Sequence, residues 1–529
     1  MSNSPSKTSE RHPRATLVAV VALVTATLPL VGGQAEASAT SNTALTIAVQ
    51  NVPATLNPAK TDNGGNNVTF AQLAYDSLIY LAPNGSYQPD LALSWGYVGQ
   101  GNEQFVLQLR HNVRFSDGTT MTAQDVANSI EYAYKSGSTA TQFLADFKSA
   151  TATGQYTVDL RFSAPRPDLP TVFEQNSLSG DIIGPVLLGK PNSLGTATDG
   201  TGPYMLDAAK TVTGSSYVYV PNPDYWNTSQ ERYASVTVNV ISDPTAELNA
   251  VRTGQDDFMF GGGYPQVGTA ISSGLKVYAA PNGWTALFIE DYTGTLVKAL
   301  GSEEVRQAIG YATDRPVLAK ALYSSYAFVT DETESPGTEG YNPAYNNYYA
   351  YNPAKAKQLL AEAGYKDGFT MTIVSTPVLN IETETEAIAS ELSQVGITVK
   401  IHEDATFTEA VNDWLSRKYP AFVGTYGTLP MSIMAPTLFP TTAIFNPFHN
   451  PQPTILSLIN KADTLDGAAA ERLYEQAEAD SVVGGYYDVM FYSDDIYFAR
   501  PGVIANLEIG DNYPGSDFAP DAGFWTPSQ

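Results

Sequence analysis

Hydrophobic and polar residues alternate along several short segments of the chain, a pattern typical of β-strands with one buried face. The alternation is clearest in Ala44–Val49, Phe105–Arg110 and Ala234–Ser242. Thr122 then precedes a segment whose apolar residues recur at helical spacing, and its hydroxyl suits the N-cap position of a helix. These segments predict three strands and one helix in the first half of the chain.

The second half alternates predicted helices and strands more regularly. Glu303–Thr313 has apolar residues at helical spacing, and Asp314 with a following proline is a typical helix start. Thr383 and Glu386 have the spacing of a capping box. Ile397–Ile401 alternates as a strand. Close alternation of helices and strands predicts an α/β fold.

The N-terminus has the three regions of a secretory signal peptide. Lys7, Arg11 and Arg14 form a basic region, the apolar run Leu17–Val31 follows, and Ala37-Ser38-Ala39 fits the cleavage pattern. The run is shorter than the about 20 residues of a transmembrane helix. We therefore predict that residues 1–39 are a signal peptide and that the protein is exported, with an uncleaved membrane anchor as the alternative.

Composition narrows the classes of protein further. The 529 residues contain no cysteine, which excludes disulfides, thiolate metal sites and a lipid-modified N-terminal cysteine. The chain is therefore not expected to be a lipoprotein. A net charge of −26 argues against nucleic-acid partners. The length exceeds that of a usual single domain, so we expect two or three structural units.

Few residues suggest catalysis or metal binding. His111, His402 and His449 lack the spacing of a metal motif, so we predict no metal and no cofactor. Gly261-Gly262-Gly263 lacks the Lys-Ser/Thr that follows the glycines of a phosphate-binding loop. The chain also lacks a G-x-S-x-G nucleophile motif. These observations predict a protein that is not an enzyme.

Several blocks of sequence resemble one family. Phe105–Val126 (FVLQLRHNVRFSDGTTMTAQDV) closely resembles the signature of the family 5 extracellular solute-binding proteins, the dipeptide- and oligopeptide-binding group of ABC importers. Gly200–Tyr204 (GTGPY), Asn222–Trp226 (NPDYW) and Tyr351–Gly364 resemble further blocks in the family's order. The resemblance extends over nearly the whole chain after the signal segment.

The resemblance implies an α/β fold with two lobes, of the periplasmic-binding-protein-like class C type, and an inserted subdomain in lobe I. We expect lobe I at 42–80, 200–298 and 492–529, the inserted subdomain at 81–199 and lobe II at 299–491. The chain is then expected to cross between the lobes near Leu296–Gly301 and near Val489–Tyr492.

The resemblance also implies a function. It predicts an extracytoplasmic, monomeric receptor that binds a short peptide or similar polar solute and delivers it to an ABC permease and ATPase complex. An oligosaccharide is the alternative ligand. A non-transport scaffold and an exported hydrolase are the alternatives from other classes, although neither explains why the family's blocks occur in order.

The sequence departs from the family where a peptide would bind. Many peptide-binding members have a Trp-x-x-Asp-Tyr element whose aspartate pairs with the peptide ammonium, and Val423–Thr428 has neither the tryptophan nor the aspartate. A buried ammonium needs a paired anion. Asp291, Asp331 or Glu334 are the candidate substitutes.

The expected ligand contacts combine aromatic rings, glycines that permit close approach of the backbone and polar groups near the cleft. They are Asn57, Tyr75, Gly262, Gly263, Tyr264, Trp284, Asp291, Thr425 and Tyr426.

Overall fold

The computed structural model describes residues 43–64, 66–509 and 521–528. The predicted signal peptide at 1–39 lies outside the described residues. Within the ranges just given, no helix combines the length and the apolar character that a membrane crossing requires.

The strands are mostly short, and two of them are much longer than the rest. In chain order they are β1 (Ala44–Val49), β2 (Ile79–Leu81), β3 (Tyr87–Pro89), β4 (Ala92–Tyr97), β5 (Gln104–Leu109), β6 (Phe147–Gly154), β7 (Thr157–Phe162), β8 (Tyr204–Leu206), β9 (Ser216–Pro221), β10 (Ser235–Val240), β11 (Phe258–Gly262), β12 (Lys276–Ile289), β13 (Ala327–Phe328), β14 (Phe369–Ser375), β15 (Ile397–Glu403), β16 (Ala421–Gly427) and β17 (Tyr487–Ala499). The long strands β12 and β17 have 14 and 13 residues. The predicted strands are confirmed as β1, β5, β10 and β15.

The helices lie between the strands. In chain order they are α1 (Asn67–Gln72), α2 (Ala123–Tyr134), α3 (Thr139–Phe143), α4 (Leu169–Val172), α5 (Pro185–Leu188), α6 (Pro244–Thr253), α7 (Val267–Ser272), α8 (Glu303–Ala312), α9 (Arg315–Tyr323), α10 (Pro353–Glu362), α11 (Ile381–Ser393), α12 (Phe407–Trp414), α13 (Met431–Leu438), α14 (Pro453–Ala462) and α15 (Ala468–Gly484). The alternation of helix and strand after residue 303 confirms the predicted α/β class.

Local capping explains where several helices begin. Thr122 and Asp314 are N-cap residues, as predicted: Asp314 accepts a hydrogen bond from Val317 N. At Thr122 the structure adds a complete capping box with Asp125. The predicted capping box of Thr383 and Glu386 is wrong. Helix α11 begins at Ile381, because a 3₁₀ turn runs directly into it and buries Ile381 in the core.

One mixed sheet of eleven strands runs through the described part of the chain. Ten of the strands follow one another in the order β15-β14-β16-β12-β17-β11-β1-β10-β9-β8, and β13 pairs with β17. β1 is parallel to β10 and β11, and β14 is parallel to β15 and β16. β12 pairs antiparallel with β16 and, along its whole length, with β17. These two strands therefore join the two halves of the sheet.

The apolar interior is divided into two large cores. The first core includes Ala280 of β12 and Tyr497 of β17, and the second includes Trp284 and Tyr492 of the same strands. The passage between the cores thus lies at 281–283 and 493–495. Leu300 belongs to the second core, and the predicted lobe bounds at 298 and 492 stay predictions.

A separate antiparallel sheet packs on the first core. Its strand order is β4-β5-β7-β6, and α2 contacts β6 and β7. Phe105, Val126 and Leu160 are buried there as members of the first core. This sheet lies within the predicted inserted subdomain at 81–199, and the bounds of that subdomain stay a prediction.

Candidate functional site

The two long strands pass between the cores through a polar and irregular segment. Asn282 Nδ2 on β12 donates to Asp495 Oδ1 on β17 at 3.1 Å. Thr428 donates to the Asn282 carbonyl through its backbone N–H and its hydroxyl, each at 3.0 Å. The register of β12 against β17 shifts between Pro281 and Gly283. Side-chain hydrogen bonds therefore connect the strands where the regular ladder is interrupted.

A cavity of about 670 Å³ opens beside this passage, and we call it the hinge cavity. Its walls come from both sides of the passage, with the turn after β11 on one side and α9 and β16 on the other. The lining residues are Gly263, Tyr264, Pro265, Asn282, Leu322, Tyr323, Ser324, Asn380, Thr425, Ser493 and Asp495. Among these described lining residues, Asp495 is the one that carries a charge.

Two tyrosines, one from each side of the passage, meet at the lining of the hinge cavity. The rings of Tyr264 and Tyr323 meet edge to face, with centroids 4.7 Å apart. The Tyr264 hydroxyl donates to the carbonyl of Asp494, and the Tyr323 hydroxyl donates to the Glu384 carboxylate. Burial raises the pKa of both phenols and raises the pKa of Glu384 to about 7. At this contact the cavity lining therefore presents neutral, hydrogen-bonded aromatic side chains.

A second cavity, about 610 Å³ in volume, lies between the segment 139–168, within the predicted inserted subdomain, and the second core, and we call it the subdomain cavity. Arg166 and Asp168 line it, but Arg166 Nε donates to Asp168 Oδ1 at 2.8 Å. The same guanidinium donates to the carbonyls of Phe143 and Ala145. Since these groups satisfy the charge of Arg166 locally, the other lining groups, mainly apolar side chains and hydroxyls, define the cavity's chemistry.

Four of the nine predicted contacts line these cavities. Gly263, Tyr264 and Thr425 line the hinge cavity, and Tyr426 lines the subdomain cavity. Thr425 and Tyr426 are consecutive residues of β16, so their side chains point to opposite faces of the sheet. Thr425 Oγ1 is 2.9 Å from Thr285 Oγ1, and the Tyr426 hydroxyl is hydrogen-bonded to Thr437 at 2.7 Å.

Trp284 and Tyr75 lie inside the cores. Trp284 is 0 % exposed, and its ring stacks on those of Phe288 and Tyr426 at centroid distances of 5.1 and 5.6 Å. Tyr75 is buried in the first core, against the backbone at Gly200. Protein atoms surround both rings, so neither ring is accessible to a ligand in this conformation.

Asn57 and Gly262 also have internal packing roles. Asn57 is buried, and its Nδ2 donates to the Tyr132 hydroxyl at 2.8 Å. Gly262 lies so close to the Phe498 ring that an added Cβ would be 2.5 Å from it. The predicted close approach at Gly262 is therefore to the protein's own core.

Asp291, the first candidate partner for a peptide ammonium, caps a loop. Its carboxylate accepts hydrogen bonds from the backbone N–H groups of Thr295, Leu296 and Val297 at 2.6, 2.8 and 2.7 Å. The side chain is fully buried. Three backbone donors thus already bind this carboxylate, and its contact with a ligand stays a prediction.

The other two candidate acids are also internal. Asp331 Oδ1 is 2.8 Å from Arg315 Nε, in a buried ion-pair network that includes Asp488. Glu334 is fully buried, and burial, with the nearby Glu478 carboxylate, raises its pKa well above the usual range. Burial therefore disfavours the charged form of Glu334 that a cationic ligand would need.

Sequence reasoning missed the polar residues at the passage. Asp495 was identifiable, because Asp494-Asp495 interrupt the otherwise mostly apolar segment Tyr487–Ala499.

Outside both cavities, the ligand atoms of His402, Asp404 and Asp413 lie within 4.8 Å of one another, although the sequence predicts no metal site. That grouping depends on a helix returning to the end of a strand, which spacing alone does not reveal.

Comparison with known proteins gives one family. The family model described as "Bacterial extracellular solute-binding proteins, family 5 Middle" matches residues 86–443. The glutathione-binding protein GsiB of Escherichia coli strain K12 is 26 % identical over 311 residues. That match covers 56 % of this chain and 57 % of GsiB, so the two proteins are similar over little more than half of their lengths.

Solved structures extend the similarity of fold to most of the chain. HbpA2 from Haemophilus parasuis superposes with a TM-score of 0.77 at 20 % identity, covering 90 % of this chain and 99 % of HbpA2. The ABC transporter-associated periplasmic binding protein DppA from Helicobacter pylori was solved with the peptide STSA. It superposes with a TM-score of 0.72 at 21 % identity, covering 92 % of this chain and 98 % of DppA. At these identities the superpositions establish a common fold.

Proposed function

The chain belongs to the bacterial extracellular solute-binding proteins of family 5, and on that premise we propose that it is an extracytoplasmic receptor of an ABC importer. It captures a short peptide or a similar polar organic solute and delivers it to a membrane permease and its ATPase. It is not an enzyme, since the receptor role requires no covalent chemistry of this chain. The observation that supports the proposal most is the hinge cavity, which both halves of the molecule line.

The proposed lobes move about the strand passage. Lobe I contains the first core and lobe II the second, and their division lies at 281–283 on β12 and 493–495 on β17. Two strands that cross between lobes act as a hinge when their pairing is irregular at the crossing. A ligand in the hinge cavity contacts both sides of the passage, so it favours the closed arrangement. The permease recognises that closed form.

The lining of the hinge cavity favours a ligand with a cationic group. Asp495 is the charged lining residue, and hydroxyl, amide and phenol groups surround it. Its Oδ1 accepts a hydrogen bond from Asn282 at 3.1 Å, which holds the carboxylate at the cavity lining. We infer that Asp495 pairs with the ammonium group of a short peptide, in place of the aspartate that Val423–Thr428 lacks.

An oligosaccharide is the second candidate ligand. Tyr264 and Tyr323 provide aromatic surface in the hinge cavity, and such surface suits a sugar ring. An uncharged sugar cannot form an ion pair with the Asp495 carboxylate. Removal of this carboxylate should therefore weaken the binding of peptides and leave the binding of sugars unchanged.

The test is thermal unfolding of the purified protein with separate pools of short peptides, oligosaccharides and amino acids. A ligand at about 100 times its Kd stabilises the folded state by about 2.7 kcal/mol. We expect peptides to raise the Tm of the wild type and Asp495→Asn to weaken their binding at least about tenfold, since one charge pair is lost.

Asp367→Asn is the matched control, because it removes the same charge from an exposed turn. It should bind peptides as the wild type does. Stabilisation by oligosaccharides alone, unchanged in Asp495→Asn, would assign the ligand to the sugars. No stabilisation by any pool, in protein free of co-purified ligand, would contradict the proposed receptor role for these solutes.

A further inference from the structure

Three potential metal ligands meet at the outer edge of the large sheet. His402 is near the end of the edge strand β15, Asp404 follows that strand, and Asp413 is in the last turn of α12. The chain between them turns through the capping box of Thr406 and Glu409, which directs α12 back along the strand end. This group lies in the second core's half of the molecule and lines neither the hinge cavity nor the subdomain cavity.

The separations match those of a compact coordination sphere. His402 Nε2 is 3.1 Å from Asp413 Oδ2 and 3.4 Å from Asp404 Oδ1, and the three ligand atoms lie within 4.8 Å of one another. In a tetrahedral zinc site with bonds of about 2.0–2.1 Å, donor atoms are about 3.3 Å apart. A cation can therefore contact all three side chains with small adjustments of the carboxylates.

The ligand side chains are partly fixed before any metal binds. The His402 ring stacks on the Tyr419 ring, with centroids 4.5 Å apart and an interplanar angle of 21°. Asp404 N donates to the Ser375 carbonyl at 2.9 Å, which continues the pairing of β15 with β14. Asp404 Oδ2 is buried and has no hydrogen-bond partner among the described residues. A buried carboxylate oxygen without a hydrogen-bond partner has an acceptor position that a cation can use.

We propose that His402 Nε2, Asp404 and Asp413 bind one divalent transition-metal ion of the zinc type, with a fourth position left for water or an external donor. One imidazole and two carboxylates form a ligand set that suits Zn²⁺. The competing arrangement is a metal-free one, in which His402 Nε2 is hydrogen-bonded to Asp413 Oδ2. The Lys418 ammonium, 3.4 Å from Asp413 Oδ1, opposes a cation, but the Lys418 side chain is 68 % exposed and can turn into solvent.

The test is zinc binding by metal-free full-length protein without a polyhistidine tag, measured by titration calorimetry. We expect one Zn²⁺ per chain and a rise in Tm with Zn²⁺, because the ion ties α12 to β15 only in the folded state. Replacement of Zn²⁺ by Co²⁺ should give the visible absorption of a four-coordinate ion. His402→Ala should lower the Zn²⁺ affinity at least about tenfold, since it removes one of three ligands.

His111→Ala is the matched control, since His111 is an exposed imidazole that stacks on Tyr156 in the inserted subdomain. It should bind Zn²⁺ as the wild type does. Asp413→Asn provides an independent ligand deletion, and circular dichroism confirms that each variant is folded. Equal Zn²⁺ affinity in the wild type, His402→Ala and Asp413→Asn, or no binding by the wild type, would overturn the proposal.

Discussion

Asp291 illustrates how a buried carboxylate can stabilise a loop when sequence alone suggests a ligand contact. Asp291→Ala removes the acceptor of three backbone N–H groups at 2.6–2.8 Å. We expect the free energy of unfolding to fall by about 2–4 kcal/mol, because buried donors are left unsatisfied. Urea denaturation measures this loss. The increase in Tm caused by the ligand should be retained.

Asp367→Ala is the comparison for this prediction, since Asp367 is exposed in a turn. Its free energy of unfolding should stay within about 0.5 kcal/mol of the wild-type value. If Asp291→Ala were as stable as wild type but no longer bound ligand, Asp291 would be a ligand contact as the sequence suggests.

For single residues, the sequence indicated which types of side chain line the cavity better than it indicated which of the predicted residues do so. Gly263, Tyr264 and Thr425 do line the hinge cavity, whereas Trp284 is buried. Trp284 pairs with Tyr426 across two antiparallel strands, and a shift of one residue exchanges the two faces of a strand. Spacing alone did not give that register, so the side of the sheet that each residue faces could not be predicted.

Gly283 controls the contact between β12 and β16. A Cβ at this position would lie 2.3 Å from the Tyr426 carbonyl oxygen, closer than packed atoms allow. We expect Gly283→Ala to lower the free energy of unfolding by about 1–3 kcal/mol, because one of the two strands must shift. Urea denaturation followed by tryptophan fluorescence measures the effect.

Gly96→Ala is the matched control in a strand, because an added Cβ there meets nothing within 4 Å. It should have little effect or a slight stabilising one, since alanine restricts the unfolded chain. Equal losses in both variants would show that the close approach of β16 is not the cause.

Elements with strong local signals were predictable, and those that depend on distant pairing were not. The strand alternation and the caps at Thr122 and Asp314 were correct because these signals act within a few residues. Pro281-Asn282-Gly283 has the composition of a turn. It nevertheless lies within β12, because β17 pairs on both sides of the register shift. The place of this segment within β12 was therefore not predictable from its own residues.

On the scale of the whole molecule, the order of the family's blocks was sufficient to predict the two-lobed α/β fold. Two large cores connected by β12 and β17 agree with that expectation. The ligand could not be derived in the same way, because the cavity's chemistry depends on residues such as Asn282 and Asp495, which belong to different strands. Their proximity arises from the register of two strands far apart in sequence.

The buried carboxyl groups make the stability of the whole molecule depend on pH. Burial raises the pKa of Glu384 from 4.5 to about 7, and it raises the pKa values of Glu339 and Glu478 to about 7 as well. The folded protein therefore binds more protons than the unfolded chain between about pH 5 and 7. The stabilisation that these protons provide is fully present below the pKa of the carboxyl groups in the unfolded chain. It is lost as the pH rises through their pKa in the folded protein.

We expect the free energy of unfolding to fall from about pH 5 to pH 8, by up to about 1.4 kcal/mol per pH unit for each such proton. Urea denaturation at a series of pH values measures the slope. Glu384→Gln should reduce this slope by about the contribution of one proton, because the amide oxygen still accepts the hydrogen bond of Tyr323 without titrating. Glu386→Gln changes an exposed residue of the same helix and should leave the slope unchanged. Stability that rises over this range would mean that these carboxyl groups are ionised in the folded protein, and that partners such as Tyr323 compensate the cost of burying the charge.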